Sequence, residues 1–158
     1  MTDHRTHKKA DDALELVAFC LSAQEFCVNI TSVREIRGWT QETRLPLAPD
    51  YVRGVINLRG TVVPIIDLSA RLGLPPVEPT ARHVIIIFQI RQQVVGYVVD
   101  AVSDILTAAA NDIQPTPDVG SQIAKDFVQG VVTVEERTMN LIGLEKILPG
   151  DNSARAAS

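Results

Sequence analysis

The sequence has few aromatic residues, no excess of positive charge and no long apolar segment. Phenylalanine, tyrosine and tryptophan make up 4% of its 158 residues, and the formal net charge is −4. Nucleic-acid binding depends on a basic surface and often on aromatic stacking, so we expect no nucleic-acid partner. Apolar runs such as residues 84–88 are far shorter than the roughly 20 residues of a spanning helix, so we expect no direct membrane insertion.

Motifs of catalysis and of metal binding are also missing. The sequence has no Gly-x-Ser-x-Gly elbow, no phosphate-binding glycine loop, no His-Glu-x-x-His and no Cys-x-x-Cys. We therefore expect neither a catalytic site nor a bound metal or cofactor.

The two cysteines leave one alternative open. If residues 23–24 form the loop of a hairpin, Cys20 lies opposite Cys27 on the neighbouring strand. Such a pair could act in thiol redox chemistry. Directly opposed strand cysteines form strained disulfides, however, and a reduced cysteine packs as a small hydrophobe. Two reduced packing thiols are therefore the preferred interpretation.

The sequence does contain an aliphatic-rich composition and an internal duplication. Hydrophobic residues make up 46% of the chain, enough for a packed core without a disulfide or a metal. Residues 17–36 align without a gap with residues 86–105, and residues 52–56 align with residues 128–132. Glycine, proline and acidic positions match in the same order. We predict two copies of a unit of about seventy residues.

Each copy is predicted to be a small all-β unit. Apolar stretches interrupted by short polar breaks predict two hairpins, with a short helical segment at residues 33–36 between those of the first copy. In its second hairpin, residues 57–60 form the turn, with Leu58 and Arg59 at the tip. Asp67 is predicted to cap a short helix that follows.

The domain organisation follows from this duplication. Four or five short strands per copy predict a five-stranded small barrel, so the chain is predicted to be all-β, with two barrels side by side. We assign flexible tails to residues 1–13 and 151–158 and the domain to residues 14–150. Within it we expect a first unit at 14–73, a proline-rich linker at 74–82 and a second unit at 83–150. Whether the units exchange strands is open.

Three motifs closely resemble the signature of the CheW family of bacterial chemotaxis coupling proteins. They are residues 33–38 (VREIRG), residues 52–60 (VRGVINLRG) and residues 63–68 (VPIIDL), and the resemblance extends over about residues 14–150. It implies two SH3-like barrels, no cofactor and no catalysis. It also implies a cytoplasmic adaptor, recruited to membrane-attached arrays, that links methyl-accepting chemoreceptor tips to the regulatory domain of the histidine kinase CheA. An adaptor of another receptor–kinase pathway, such as surface motility, is the alternative.

The resemblance also assigns two sets of binding residues. The receptor-binding set is Val33, Glu35, Ile36, Arg59 and Val98, and the kinase-binding set is Gly54, Gln114, Asp118 and Val119. In the family, the segment matching residues 113–119 often has a basic residue before its first proline and an aromatic residue after its acid. This chain has glutamine and valine at these positions. We therefore expect a weakened second kinase contact that depends on the remaining acid.

Overall fold

The computed structural model describes residues 13–75, 78–115 and 126–143. These residues form strands joined by tight turns, one short α-helix and two 3₁₀ turns, at Ile30–Ser32 and Ala110–Asp112. In chain order the elements are β1 (Leu14–Leu21), β2 (Gln24–Asn29), β3 (Val33–Gly38), β4 (Val52–Leu58), β5 (Thr61–Asp67), α1 (Leu68–Arg71), β6 (Val84–Ile90), β7 (Gln93–Val99), β8 (Ala101–Ala108), β9 (Ile113–Gln114), β10 (Val128–Val134) and β11 (Arg137–Ile142).

The strands form two sheets, and each sheet contains strands from both copies of the repeat. Barrel I has the strand order β3-β6-β7-β5-β4, and barrel II has the order β8-β1-β2-β11-β10-β9. The hairpin β1–β2 of the first copy therefore lies in the sheet of the second copy, and β6–β7 lies in the sheet of the first. The all-β prediction is confirmed, and the open question of exchange is answered by a reciprocal exchange of hairpins.

The two barrels share one plan, as the duplication predicts. Each exchanged hairpin joins its sheet through a parallel pair, β5 with β7 in barrel I and β11 with β2 in barrel II. In barrel II the short strand β9 pairs with β10. In barrel I, Thr43 forms an isolated bridge to Val55 at the equivalent place. The barrels are therefore two versions of one strand arrangement.

Three apolar clusters form the core. One lies inside barrel I and includes Ile85 and Ile87, and another lies inside barrel II. The third, which we call the central cluster, joins the two exchanged hairpins and includes Ile86 and Phe88. Along β6, Ile85 and Ile87 thus face the interior of barrel I, whereas Ile86 and Phe88 face the junction between the two barrels. Burial on both faces explains the unbroken apolar run at the start of the second copy. It also packs both barrels into one unit.

The first hairpin differs from its predicted register. Leu21 pairs with Gln24, and the turn consists of Ser22 and Ala23, which both have positive φ, as in the tight turns favoured between antiparallel strands. This register places Phe19 opposite Phe26, and their rings stack at 5.9 Å between centroids in the central cluster. Burial of that pair sets the register, since a slip would turn one ring outward.

The predicted pairing of the two cysteines is consequently wrong. Cys20 lies opposite Glu25, and Cys27 lies opposite Ala18. Both thiols are free.

The second turn of the first copy is also shorter than predicted. Arg59 and Gly60 alone form it, with φ of 52° and 88°. The Asn57 side chain accepts a hydrogen bond of 2.9 Å from the Gly60 backbone N–H. Leu58, predicted at the tip, is instead buried inside barrel I. Arg59 remains at the tip. The predicted cap is confirmed, because the Asp67 carboxylate accepts from the N–H of Ala70 at the start of α1.

The segment predicted as helical is strand β3. Its pairing with β6 passes from Val33 opposite Phe88 to Glu35 opposite Ile87, so Arg34 is the extra residue of a β-bulge. Ile36 then lies opposite Ile86, on the side of the central cluster. The bulge therefore brings two apolar residues three apart onto one face of a strand, a spacing that resembles a helix.

Candidate functional site

Two of the predicted receptor-binding residues, Glu35 on β3 and Arg59 on the β4–β5 turn, are in direct contact. The Arg59 guanidinium donates to Glu35 Oε1 at 2.5 Å, and Arg37 lies 3.5 Å from Glu35 Oε2. Ile36, the next residue of β3, has its side chain on the opposite face of the strand and is 42% exposed. Two other large apolar residues in strands, Val62 and Ile105, are more exposed. Since β3 is an edge strand of barrel I, this surface is open to a partner. We call Val33, Glu35, Ile36 and Arg59 the β3 surface.

The charge on Glu35 is fixed by its arginine neighbours. The hydrogen bond from Arg59 lowers the pKa of the Glu35 carboxyl below its ordinary value, and the charges of Arg59, Arg37 and Arg34 act in the same direction. Partial desolvation opposes them without reversing the shift. Glu35 is therefore ionised at neutral pH, and it holds the tip of the β4–β5 hairpin against β3.

Replacement of Arg59 with glutamine is expected to raise the pKa of Glu35 toward the ordinary value of a glutamate carboxyl. Because the folded-state pKa is depressed, the ion pair is complete above that ordinary value and is lost as the pH falls through the lowered one. Carbon-13 NMR titration of the Glu35 carboxyl measures the shift. The matched control is Arg82→Gln, an exposed arginine that does not act on Glu35. An unchanged Glu35 titration in Arg59→Gln would contradict the assignment.

The other two predicted receptor residues differ in position. Val33 is half-buried and packs against the central cluster, so it supports the β3 surface from one side. Val98 is only 3% exposed and lies inside barrel I opposite Ile85. The structure therefore does not bring Val98 to the β3 surface, because the strand directs its side chain into the barrel.

Gly54, a predicted kinase-binding residue, is a position of close backbone approach. A Cβ atom there would lie 2.1 Å from the carbonyl oxygen of Thr43, and its φ is +148°. Thr43 and Val55 exchange two backbone hydrogen bonds of 2.8 Å directly beside it. Gly130 is its equivalent in barrel II, where a Cβ would lie 2.6 Å from the carbonyl of Gln114. Gly54 therefore acts by shaping the neighbouring loop.

The remaining predicted kinase residues lie in the second copy. Gln114 is exposed on the short strand β9, at the edge of barrel II. Asp118 and Val119 lie outside the described residues.

A buried polar network that the sequence did not suggest anchors the loop between β3 and β4. Glu42 is 9% exposed, accepts from the indole N–H of Trp39 at 3.2 Å and lies 3.3 Å from the guanidinium of Arg53. The loop beyond it presents Leu45 and Leu47 to solvent. No local motif marks this network, because Arg53, which completes it, comes from the following strand. It fixes an apolar loop tip suited to protein contact.

Barrel II has a related ion pair between strands. Arg137 donates to Asp104 at 2.8 Å and to Glu25 at 3.2 Å, and these hydrogen bonds raise its pKa above the ordinary arginine value. Asp104 is the counterpart of Glu35 in the repeat. In both barrels, the acidic residue that follows the bulge is thus held by an arginine. This arginine belongs to the β4–β5 hairpin in barrel I and to the β10–β11 hairpin in barrel II.

The environments of the cysteines do not favour redox chemistry. Cys27 is buried inside barrel II, and burial raises the pKa of its thiol to about 12, with Glu25 adding to the shift. The thiolate is the reactive species, so Cys27 is poorly suited to nucleophilic attack. Cys20 is partly exposed, with its sulfur 3.6 Å from the hydroxyl of Ser103.

Iodoacetamide at neutral pH is therefore expected to modify Cys20 and to leave Cys27 intact in the folded protein. Mass spectrometry of the labelled peptides measures this difference, and labelling in denaturant provides the control in which both residues react. Joint replacement by Cys20→Ala and Cys27→Val should leave kinase coupling unchanged. A folded double variant that no longer couples would show that the thiols have a function.

Metal-binding clusters and membrane-spanning helices are both absent from the described residues. They contain no group of three or more histidine, cysteine, aspartate or glutamate side chains that could hold a metal ion. Within the same ranges, no helix has the length and apolarity required to cross a bilayer.

Comparisons with known proteins agree on one family. A family model described as a CheW-like domain matches residues 15–151. Chemotaxis protein CheW of Rhizobium meliloti is 56% identical over 142 residues, covering 90% of this chain and 92% of that protein. The protein of the same name from Klebsiella aerogenes is 39% identical over 140 residues, covering 89% and 84%.

A solved structure shows the same fold. The crystal structure of scaffolding protein TtCheW from Thermoanaerobacter tengcongensis matches with a TM-score of 0.76 and 32% identity, covering 82% of this chain and 88% of that one. The prediction of two SH3-like barrels is confirmed by this similarity.

Proposed function

The chain belongs to the CheW family, and on that premise we propose that it is a non-enzymatic adaptor that couples chemoreceptors to a CheA-type histidine kinase. The observation that carries the proposal is the β3 surface, where an edge strand has an exposed isoleucine on one face and an ordered ion pair on the other. Protein interfaces commonly combine an apolar centre with a polar, hydrogen-bonded rim. The cytoplasmic protein would be recruited to membrane-attached arrays by its partners, without a nucleic-acid ligand.

The receptor contact is assigned to the β3 surface. Ile36 supplies apolar area that solvent otherwise surrounds, and Val33 supports it from the central cluster. The Glu35–Arg59 pair holds the tip of the β4–β5 hairpin against β3, the strand that contains Ile36. A helical receptor tip with an apolar stripe and polar flanks matches this arrangement.

The kinase contacts are assigned to the segment that precedes the last hairpin of each copy in the sequence. In the first copy, Gly54 allows the backbone at Thr43 to approach closely and so determines the course of the loop with Leu45 and Leu47. In the second copy the contact includes Gln114, Asp118 and Val119. Because glutamine and valine occupy positions of the family's basic and aromatic residues, we propose that this contact is the weaker one.

Co-purification from a lysate of the source organism tests the function. The full chain, immobilised through its N-terminus, should retain a CheA-type kinase and chemoreceptors, identified by mass spectrometry. A double variant that combines Ile36→Glu with Asp118→Arg is the matched control and should retain less of both. Recovery of a kinase from a surface-motility pathway would favour the alternative adaptor role. Recovery of neither class of protein would contradict the proposal.

A further inference from the structure

The linker between the two copies of the repeat ends in a turn that is closed by a histidine. The His83 backbone N–H donates to the carbonyl of Thr80 at 2.9 Å. The Thr80 backbone N–H donates in return to Nδ1 of the His83 ring, also at 2.9 Å. The ring thus has the acceptor role that a glutamate side chain has in a capping box. It is largely buried, with 15% of the side chain exposed.

The other nitrogen of the ring faces a carboxylate at the junction of the barrels. His83 Nε2 lies 3.5 Å from Oδ1 of Asp100, which connects β7 to β8. Oδ2 of Asp100 accepts a hydrogen bond of 2.9 Å from the N–H of Ser22, in the turn of the exchanged hairpin β1–β2. The His83 carbonyl accepts from the N–H of Trp39, directly after β3. We call Thr80, His83 and Asp100 the His83 clasp, since they connect the linker to elements of both barrels.

These contacts define the protonation state in which the clasp is closed. Because Nδ1 accepts from the Thr80 N–H, the neutral ring carries its proton on Nε2, which faces Asp100. A proton on Nδ1 would place two donors 2.9 Å apart. The Thr80 hydroxyl, 3.2 Å from Nδ1, can accept from the protonated ring instead. Protonation of His83 therefore releases the Thr80 N–H, whereas it strengthens the contact with Asp100.

Few charged groups surround the ring. Within the described ranges, the charged side chain in contact with it is Asp100. Arg82, on the same turn, is exposed. The nearest charged residue of β3 along the chain is Arg37, which pairs with Glu35. The end of β3 and the β1–β2 turn contribute backbone groups, at Trp39 and Ser22.

The linker that the clasp holds lies beside the anchor of the β3–β4 loop. Glu78 and Pro79, directly before Thr80, line the same depression as Trp39 and Glu42. Glu42 is the centre of the buried polar network that fixes this loop, and it accepts from the indole of Trp39. The backbone of Trp39 in turn donates to the carbonyl of the clasp histidine. The clasp is thus connected to the loop both through the linker and through Trp39.

The equivalent place in the other half of the repeat has no such pair. Extension of the alignment of residues 17–36 with residues 86–105 places Leu14 at the position of His83 and Thr31 at that of Asp100. Neither side chain titrates near neutral pH. The fold therefore forms this crossing between barrels without an ionisable pair, and the pair is confined to the half that meets the linker.

We propose that the His83 clasp is a proton-sensitive device that loosens the kinase contact of the first copy when the pH falls, an inference that rests on the proposed function. With neutral His83, the Thr80 N–H is held and the linker stays beside the loop anchor. With protonated His83, the Thr80 N–H is released and the anchor loses this support. The kinase contact then loses part of the preorganisation on which affinity depends. Histidine suits this role, because its charge ordinarily changes between pH 5 and 8.

NMR of the full chain between about pH 7.5 and about pH 5.5 tests the clasp itself. Nitrogen-15 spectra of His83 should show the Nε2–H tautomer at the higher pH and a doubly protonated ring at the lower one. The protection of the Thr80 amide against hydrogen exchange, corrected for the intrinsic exchange rate, should fall roughly fivefold or more. In His83→Asn it should stay constant, because the asparagine oxygen accepts from the Thr80 N–H and does not titrate.

Calorimetry with the full-length kinase that co-purification identifies provides the functional readout. Over the same pH range the wild-type chain should lose roughly 2- to 5-fold more affinity than His83→Asn does. The comparison with this variant removes the contribution of the kinase's own titratable groups. The matched control replaces the other two histidines of the chain, His4→Asn together with His7→Asn, and should respond to pH as the wild type does.

The outcomes separate the clasp from the function on which it rests. Constant Thr80 protection in the wild-type chain would disprove the clasp and leave the adaptor function in place. A fall in protection with equal pH dependence of kinase affinity in the wild type and His83→Asn would disprove the link to the kinase contact. Loss of the response in the variant of His4 and His7 would assign the response to those residues and contradict the proposal. Absence of kinase binding at the higher pH would contradict the proposed function itself.

Discussion

Replacement of Gly54 with alanine is expected to destabilise the protein by about 3 kcal/mol or more. The new Cβ would lie 2.1 Å from the carbonyl oxygen of Thr43 and 2.7 Å from its carbon. Both atoms are backbone, and Thr43 is held by two hydrogen bonds to Val55, so neither can yield without loss of the bridge. The φ of +148° adds strain for any residue with a side chain. Urea unfolding followed by circular dichroism measures the effect.

Two other glycines make this a graded experiment. Gly130→Ala introduces a Cβ 2.6 Å from the carbonyl of Gln114, a clash of the same kind but less severe, so we expect a smaller destabilisation. Gly38 has no atom within 4 Å of the added Cβ, and Gly38→Ala should change stability by no more than ~0.5 kcal/mol. Equal stability of the Gly54 and Gly38 variants would disprove the close-approach argument. A kinase-binding defect in a fully stable Gly54→Ala protein would instead indicate direct contact.

The fold class could be predicted because the relevant signals are local and occur twice. Apolar runs, turn residues and matching glycine positions recur in both copies, and each predicts a hairpin in the place where one forms. The exchange of hairpins could not be predicted in this way. Both copies have the same strand order along the chain, so a sheet built from one copy and a sheet built from two have identical local patterns. Only the packing of Ile86 and Phe88 against the opposite hairpin distinguishes them.

The error at residues 33–36 has a specific physical cause. Two apolar residues three apart normally indicate one face of a helix. Here the bulge at Arg34 inserts one extra residue into a strand. Two residues on the same face, which would normally be two positions apart, are therefore three positions apart. The same bulge at Ser103 produces the same spacing in the second copy. A repeated bulge is therefore a signal that periodicity alone assigns to a helix.

The candidate site could be predicted in part. The hairpin tip with Arg59 and the neighbouring Glu35 follow from turn geometry and from the family motif, and the structure joins them in an ion pair. Val98 illustrates the limit of that approach. It belongs to a strand buried on both faces, so its sequence neighbours do not show which side of the strand is accessible.

Burial on both faces of the exchanged hairpins also bears on the adaptor role. A partner that contacts β3 contacts a strand that is paired with β6. The side chains of β6 pack both inside barrel I and in the central cluster between the barrels. Separation of the barrels would expose the central cluster, including the stacked Phe19 and Phe26. The two barrels therefore pack as one unit, and under the proposed function the receptor-binding and kinase-binding surfaces keep a fixed mutual orientation.

Replacement of Ile36 with glutamate is expected to reduce affinity for a receptor tip fragment by about 2–3 kcal/mol, or roughly 30- to 150-fold. The side chain is 42% exposed in the free protein, so the charge is tolerated by the fold. In the complex it would be transferred to an apolar contact and left without a partner. Val33→Glu is a poorer choice, because Val33 packs against the central cluster and the charge would also destabilise the fold.

Binding measured by calorimetry on matched variants isolates this effect. Leu47→Glu adds the same charge at a fully exposed leucine on the loop beside β4 and should leave receptor affinity unchanged. Ile36→Leu preserves the apolar contact and should bind within about threefold of the wild type, since volume-conserving apolar changes have small effects. Urea unfolding should give similar midpoints for all three proteins, because the altered side chains are exposed. If folded Ile36→Glu binds the receptor fragment as tightly as Leu47→Glu does, the receptor does not contact the β3 surface through Ile36.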